Sequence, residues 1–429
     1  MKVDLKYYMK LTGRYISVLL ASAVAGVLLL CLVFLLPTAP MKEHLKYDVE
    51  ELQQEGQYPA LEYRYDKMLD NFTDTYMLGS AVYDDGDYSF MQRVMNAYHP
   101  NVEGLDSKNS VIDSFVYYIQ DQDGVSGVDY PRYWHGYLVG LKPVLVFTDY
   151  LIWRTINRVL QLVLLAVTSI VLIRRISWKC LIPYLGGMVF LRLGVIYYSL
   201  QYSTMFYVSN IAVLLMALFK DKLFERKWFG YYFFILGIIT NYFDYLTYPM
   251  LGLGVSMVIY QLMCQENTLV KRLSDVVRLS VLWALGYAGM WISKWLISSV
   301  ILGRNIVADG LASVMTRSSA DAMGSSISRT MAVMNNLMTG FTNGAGVYYI
   351  AAIAVGLAAG IWQWRKDIKG LLANAAVMLL IAAMPFVWFM VLANHSYLHG
   401  YFTYRILGIT CAAMLAVGIK VNTKKESRK

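Results

Sequence analysis

The chain has little charge and few cysteines for its length. Only 16% of its 429 residues are charged and four are cysteine, whereas 57% are hydrophobic. This balance excludes a disordered chain and a disulfide scaffold. Together with a mean hydropathy of +0.45, it indicates an integral membrane protein.

Common nucleotide-binding signatures are also missing. The sequence contains neither a glycine-rich phosphate loop that ends in lysine nor a dinucleotide-binding fingerprint. The sequence therefore contains no recognisable motif for nucleotide-driven chemistry on the cytoplasmic side. The formal net charge of +9 could indicate nucleic-acid binding, but in a membrane protein the position of the charges matters more than their sum.

Long apolar stretches are abundant and alternate with short basic clusters. The stretch 15–36 is uncharged and follows four basic residues, which favours an uncleaved anchor that enters from the cytoplasm over a shorter signal peptide. If each later basic cluster marks a cytoplasmic turn, both termini are cytoplasmic and the protein is a multi-pass plasma-membrane protein. The predicted spans are 15–36, 155–173, 180–197, 204–219, 228–246, 249–264, 279–301, 346–363, 371–393 and 405–420.

The predicted fold is therefore all-α, a transmembrane bundle of about ten spans with a large helical first extracytoplasmic loop. The predicted division is 1–36, a tail and first span; 37–153, the loop; 154–420, the multi-span domain; and 421–429, a basic cytoplasmic tail. Helically spaced apolar clusters in the loop predict short amphipathic helices on the membrane surface.

Charge is distributed unevenly between the loop and the rest of the chain. Residues 37–153 contain 19 acidic and 8 basic residues, so the positive charge belongs to the remainder. We interpret the net charge as a topology signal, and we expect no nucleic-acid partner.

Three charged residues, Arg192, Asp244 and Lys294, fall inside predicted spans. Helical rise places all three in the outer third of the bilayer. Their shared depth predicts a polar cavity that opens outward, although a long lysine could instead reach the outer headgroups.

The loop offers two acidic groups. Asp74 lies among residues that would line one helix face, and Asp84 and Asp85 belong to an Asp-Asp-Gly-Asp run. A transferase needs such carboxylates to deprotonate a hydroxyl or to hold a divalent cation near a phosphate. The structural alternatives are a helix cap or surface acid for Asp74 and a solvated turn for the run.

Two basic, aromatic stretches suit a phosphate at headgroup depth. The first contains Arg132 and His135, and the second contains His395, His399 and Arg405. An arginine can bind phosphate through a bidentate fork, while an aromatic belt is the alternative interpretation. The two later histidines are four residues apart, but no third zinc ligand is apparent nearby, so recognition of a phosphorylated or sugar ligand is the better prediction.

This layout, with the stretches Asn71-Phe72-Thr73-Asp74 and Asn394-His395-Ser396-Tyr397-Leu398-His399, resembles bacterial membrane glycosyltransferases of the GT-C type. The resemblance is one of architecture across the whole chain. It implies transfer of a sugar from a polyprenyl-phosphate carrier in the lipid bilayer to an envelope glycan acceptor.

The same resemblance implies a first-loop acid as general base. That role falls on Asp74 first and on Asp84 or Asp85 next, while Glu43 and Asp48 lie nearer the first span. No cofactor is implied beyond a divalent cation. The competing hypotheses are a transporter or flippase of a lipid or polysaccharide precursor and a non-catalytic subunit of envelope assembly.

Overall fold

The computed structural model describes residues 5–84, 86–342 and 346–421, and 75% of the structure is helical. The candidate acid Asp85 and most of the basic tail lie outside the described residues. The helices are α1 (Leu5–Phe34), α2 (Thr38–Leu45), α3 (Val49–Glu55), α4 (Asn71–Val82), α5 (Phe90–Asn96), α6 (Ser110–Ile119), α7 (Leu138–Phe147), α8 (Tyr150–Arg175), α9 (Leu181–Phe190), α10 (Leu193–Ile196), α11 (Leu200–Glu225), α12 (Phe229–Phe243), α13 (Met250–Met263), α14 (Leu269–Leu302), α15 (Ile306–Ser318), α16 (Arg329–Phe341), α17 (Gly346–Gln363), α18 (Ile368–Ala382), α19 (Met384–Val391), α20 (Ala393–Leu398), α21 (Gly400–Thr403) and α22 (Gly408–Ala416).

Strands are few and short, so the all-α prediction is confirmed. Strand β1 (His99–Val102) pairs antiparallel with β2 (Val125–Val128), and β3 (Asp321–Ala322) pairs with β4 (Ser325–Ser326).

Among the described residues, six helical segments are long and apolar enough to cross a membrane. They are Tyr8–Phe34, Tyr150–Arg175, Leu200–Glu225, Leu269–Leu302, Gly346–Gln363 and Ile368–Val391. The other four predicted spans coincide with shorter elements, of which α12, with 15 residues, is the longest. At about 1.5 Å per residue, α12 measures roughly 22 Å, less than the hydrocarbon thickness of about 30 Å.

The residues between the first two long helices, 35–149, form a folded unit that we term the connecting domain. Helices α2 to α7 and the antiparallel β1–β2 pair surround side chains such as Leu78, Met95 and Phe115, which are almost completely buried. This core continues onto α1 and α14, so the connecting domain and the long helices share buried apolar surface.

Buried polar groups fix the connecting domain to the long helices. The Asp48 carboxylate accepts hydrogen bonds from the backbone N–H groups of Tyr150 and Leu151, at 2.8 and 3.0 Å, and so caps α8. The Lys294 ammonium donates to the Met95 carbonyl at 2.9 Å, at the end of α5. Lys294 is fully buried, and it therefore neither reaches the headgroups nor faces an open cavity.

The predicted span 180–197 is broken. Helix α9 ends at Phe190, Arg192 adopts a left-handed backbone conformation (φ 63°), and α11 begins only at Leu200. The chain between α9 and α11 consequently lies beside the connecting domain, and it contributes polar groups to the region described below.

A second segment, residues 303–342, contains α15, the β3–β4 hairpin and α16. It packs against α19, α20 and α21, so it lies at the same end of the bundle as the connecting domain. We call this end the domain end.

Candidate functional site

Asp74 serves as a helix cap. Its fully buried carboxylate accepts hydrogen bonds from the Tyr150 and Ser199 hydroxyls, at 2.7 and 3.1 Å, and from the N–H groups of Leu200 and Gln201, at 2.9 and 3.0 Å. Burial raises the pKa of Asp74 despite these donors. Four donors occupy a carboxylate that offers about four lone-pair sites, so little capacity is left for a substrate hydroxyl.

The other acids named from the sequence have local partners. Asp84 forms an ion pair with Arg93. Glu43 pairs with Lys46 at 2.6 Å on the surface. Like the cap made by Asp48, these contacts engage each carboxylate within the protein.

Asp70, the residue that caps α4, was not singled out from the sequence. One carboxylate oxygen accepts from the Thr73 N–H at 3.0 Å and the other from the Tyr401 hydroxyl at 3.1 Å. Asp70 is 2% exposed, and burial raises its pKa to about 7. Partly exposed tyrosines cover it, since Tyr401 packs against Tyr58 and Tyr65 with ring centroids 6.0 Å apart.

The arginines predicted to bind phosphate are engaged elsewhere. Arg192 pairs with Asp66 at 2.8 Å and donates to the Gly340 carbonyl at 3.1 Å. Burial alone would raise the pKa of Asp66, but hydrogen bonds from Arg64 and Arg192 lower it. Arg132 faces Asp309 at 3.3 Å and lies over the ring of Tyr130.

Arg405 is fully buried and holds backbone in place. Its guanidinium donates to the carbonyls of Leu191 and Tyr401, at 3.0 and 2.9 Å, and lies 4.3 Å from the ring centroid of Tyr202. Because Tyr401 is the hydrogen-bond partner of Asp70, Arg405 positions that pair.

The three predicted histidines are neutral at physiological pH. Burial, with nearby positive charges, lowers the pKa of His135 to about 3 and that of His399 to about 4, and lowers the pKa of His395 well below its ordinary value. His135 contacts the Tyr137 hydroxyl at 3.0 Å, and His395 contacts the Leu246 carbonyl at 2.8 Å. Neutral imidazoles cannot neutralise a phosphate, and His135 already uses its other ring nitrogen, Nε2, on the Tyr130 carbonyl at 2.7 Å.

Several polar and aromatic side chains from distant parts of the chain meet at the domain end. We call this group the polar cluster; it comprises Tyr130, Tyr133, Asp244, Tyr245, Arg317 and His399. The rings of Tyr133 and Tyr245 are stacked with their centroids 5.0 Å apart, and the Arg317 guanidinium lies 5.9 Å from the ring centroid of Tyr133. Arg317 is also close enough to His399 to contribute to its lowered pKa.

Four members of the cluster, Asp244, Tyr245, Arg317 and His399, have a side-chain atom without a hydrogen-bond partner among the described residues. Asp244 is 6% exposed; one of its oxygens accepts from the Thr247 N–H at 2.9 Å, whereas no described residue donates to Oδ2. Nδ1 of His399 likewise has no hydrogen-bond partner among the described residues. Aromatic faces with convergent polar atoms are typical of small-molecule sites.

Arg317 is the cation that sequence reasoning missed. Its guanidinium has no carboxylate within 4 Å among the described residues, in contrast to Arg132 and Arg192. Its sequence surroundings, Met-Thr-Arg-Ser-Ser, are unremarkable. Only its place in the last turn of α15, against Tyr133, indicates a role.

A large apolar groove runs along the long helices. It has a volume of about 1120 Å³, and residues of α11 and α12 contribute much of its lining. Arg14, Lys222 and Trp228 lie at one end, and Tyr137, Trp153 and Leu200 lie at the domain end. Between Leu200 and Lys222 the helical rise amounts to about 33 Å, close to the hydrocarbon thickness of a bilayer.

The groove reaches the polar cluster through Tyr137. This residue lines the groove, and its ring packs edge-on against that of Tyr245, with the ring centroids 5.9 Å apart. Leu200, at the same end, donates its N–H to Asp74. An apolar path along the bundle thus ends beside polar groups.

Metal ligation by protein side chains has no visible basis in the described part of the chain. There, no three His, Cys, Asp or Glu side chains are arranged to hold a metal ion. No protein-family model matches the chain, and no curated protein or solved structure is significantly similar to it.

Proposed function

We propose that this protein is a membrane glycosyltransferase that moves a sugar from a polyprenyl-phosphate carrier to an envelope glycan acceptor. The observation that carries the proposal is the junction of the apolar groove with the polar cluster at Tyr137. A lipid-linked sugar needs an apolar channel for its tail and a polar site for its headgroup, and the two must be continuous.

Arg317 would bind the carrier phosphate. It carries a positive charge without a carboxylate partner in the described residues, and it lies among rings that lead to the groove. As the bond between the anomeric carbon and the phosphate oxygen breaks, the leaving phosphate gains negative charge, which a fixed cation stabilises. His399 can add a neutral hydrogen bond.

Asp70 would be the first-loop general base, in place of the more fully engaged Asp74. The general base must take the proton from the hydroxyl group of the acceptor glycan. It must therefore lie on the side of the sugar opposite the leaving phosphate. Asp70 is linked to the cluster through Tyr401, whose ring lies 6.1 Å from that of His399. Its pKa of about 7 suits proton transfer at neutral pH.

The proposed reaction is a single displacement. The acceptor oxygen bonds to the anomeric carbon, its proton passes to Asp70, and the polyprenyl phosphate leaves toward Arg317. This sequence inverts the anomeric configuration. Asp244, with its free Oδ2, would accept a hydrogen bond from a sugar hydroxyl.

Topology is part of the proposal. We propose that the shorter helices α9, α12, α13 and α22 are also embedded, which gives ten crossings of the plasma membrane with both termini in the cytoplasm. The domain end then faces outward, where lipid-linked sugars and envelope acceptors meet.

The test is a cell-based complementation experiment. Cells that lack the protein are supplied with the native chain, Asp70→Asn, Arg317→Gln or the surface control Asp123→Asn, at matched membrane levels. Mass spectrometry of envelope glycans and extracted lipid-linked sugars should show that the product glycan is lost and the sugar-loaded carrier accumulates. Both effects should occur in Asp70→Asn and Arg317→Gln only. Unchanged glycans in both variants would refute the proposed transferase site.

A flippase predicts a different pattern. Precursor would accumulate on the cytoplasmic side, and transfer from a carrier supplied outside would survive in spheroplasts. Adding a chelator to the same spheroplasts measures any need for a divalent cation.

A further inference from the structure

Helix α16 presents its polar side inward and its apolar side outward. Asn336 is fully buried, donates to the Ser396 carbonyl at 2.8 Å, and accepts from the Thr403 hydroxyl at 2.7 Å. Met334 and Met338, on the other side, are 54% and 56% exposed. A helix that borders water has the opposite arrangement.

Exposed apolar side chains also occur on α15. We call Met315, Met331, Met334 and Met338 the methionine face; all four are exposed, and Met315 is exposed to 72%. Between Met331 and Phe341 the sequence has no charged residue. Four exposed methionines on neighbouring parts of one segment are unusual on a surface that borders water.

The position of α16 brings this face level with helices long enough to cross the membrane. At its start, Arg329 donates to the carbonyl of Met390, near the end of α19. At its end, the Gly340 carbonyl accepts from Arg192, beyond α9. Helix α16 therefore lies across the ends of membrane helices at the domain end.

Neighbouring helices continue the apolar surface. Val347 and Ile350 of α17, a candidate span, are 62% and 53% exposed, and Val387 of α19 is 61% exposed. Those side chains face lipid in any membrane-embedded arrangement. The exposed side of α16, which lies beside the ends of α17 and α19, therefore contacts lipid as well.

We propose that the methionine face docks into the lipid of the adjacent leaflet, so that residues 306–341 form an interfacial lid and not an aqueous loop. Methionine is unbranched and flexible, and it packs against disordered acyl chains without a fixed shape. Arg317 lies on the protein side of the same lid, against Tyr133. Lipid on the outer side of the lid would hold that cation over the polar cluster. The docking does not depend on the proposed transfer chemistry.

Nitroxide accessibility tests the docking directly. Single cysteines replace Met334, Met338 or Met315 in a Cys31→Ala chain, because the other three native cysteines are buried. The labelled protein is reconstituted in phosphatidylethanolamine and phosphatidylglycerol vesicles. Val355→Cys, on the exposed side of α17, calibrates lipid, and Gln122→Cys, on the exposed surface of the connecting domain, calibrates water.

The expected result is a ratio of oxygen to nickel-chelate collisions several-fold above that of the Gln122 label and nearer to that of Val355. Nickel accessibility equal to that of Gln122 would overturn the proposal. Protection from both reagents, with spin-spin broadening between copies, would also overturn it by identifying a second copy as the occupant. Met315 lies on a different helix, so the result does not depend on tolerance of substitution in α16.

Discussion

Asp70 and Asp74 lie one helical turn apart on the same segment, yet their carboxylates have different surroundings. Asp74 receives four hydrogen bonds, three of them from Ser199, Leu200 and Gln201. Asp70 receives two, one from a tyrosine of the covering aromatic layer. At the scale of residues, the number of donors separates a structural carboxylate from one that can still accept a proton.

The pKa of Asp70 leads to a pH prediction. If Asp70 is the base, kcat/KM for sugar transfer should rise with pH through about 7 and then level off, because only the deprotonated form accepts a proton. Asp70→Asn should lower kcat by a factor of about 10²–10⁴ and abolish the rise of kcat/KM with pH. A transfer assay across pH 5–9 in proteoliposomes measures both effects.

The raised pKa of Asp70 also determines how the stability of the folded protein changes with pH. The folded state holds the Asp70 proton more tightly than the unfolded chain, so its contribution to stability is greatest below about pH 4 and declines as pH rises through 7. Asparagine resembles the protonated form, and Asp70→Asn should therefore remain folded at neutral pH. An unfolded Asp70→Asn protein would contradict this account.

Arg317 gives a second residue-scale prediction. Arg317→Gln should reduce kcat by about 10²–10³ because the leaving phosphate loses its cation. Arg317→Lys should retain part of the activity, since charge remains but the planar fork is lost. Lys108→Gln, at an exposed position of the connecting domain, should have no effect on the same assay.

At the scale of elements, the capping of α11 by Asp74 predicts a stability effect. Asp74→Asn places an amide N–H₂ among four donors, so unfolding free energy should fall by about 1–3 kcal/mol. Thermal unfolding in detergent, compared with the exposed control Asp123→Asn, measures the loss. Normal stability with abolished transfer would instead return the role of base to Asp74.

Helices α12 and α14 pack with their backbones in contact. A Cβ on Gly237 would lie 2.0 Å from the Trp283 carbonyl oxygen, and a Cβ on Gly286 would lie 2.1 Å from that of Phe234. Backbone atoms cannot move aside as a flexible side chain can, so only glycine fits at either position.

The expected consequence is a large effect of small substitutions. Gly237→Val should force the two helices apart and lower stability by about 1–3 kcal/mol or more, detected as a lower Tm and a smaller folded fraction on size-exclusion chromatography. Gly13→Val is the matched control, because a Cβ there meets nothing within 4 Å. Equal effects of the two variants would argue against the close contact.

At the scale of the whole molecule, the groove and the polar cluster act together in the proposed function. Ile211→Trp, which fills the groove, should raise KM for a long-chain carrier roughly tenfold, a change of about 1.4 kcal/mol, with a smaller effect for a short-chain carrier. Val159→Trp, on the exposed surface of α8, is the control. Equal KM changes for both chain lengths would argue against tail binding in the groove.

Much of the architecture follows from the sequence. The all-α fold and the long helices around 15–36, 155–173 and 279–301 were predicted, since the length and apolar character of a stretch are local properties that the sequence displays directly. The same signal could not show that the predicted span 180–197 breaks at Arg192, because a left-handed residue is imposed by its partners, Asp66 and Gly340.

The sequence by itself thus determined that the protein is helical and embedded in a membrane, and it drew attention to the segment around Asp74 and to His399. Only the tertiary structure decided which groups remain available to a ligand. The Asp74 carboxylate is bound by residues more than 120 positions away, and Arg317 meets Tyr133 across 184 positions. Hydrophobic stretches act locally, whereas the role of a buried charge depends on the donors and acceptors that folding brings to it.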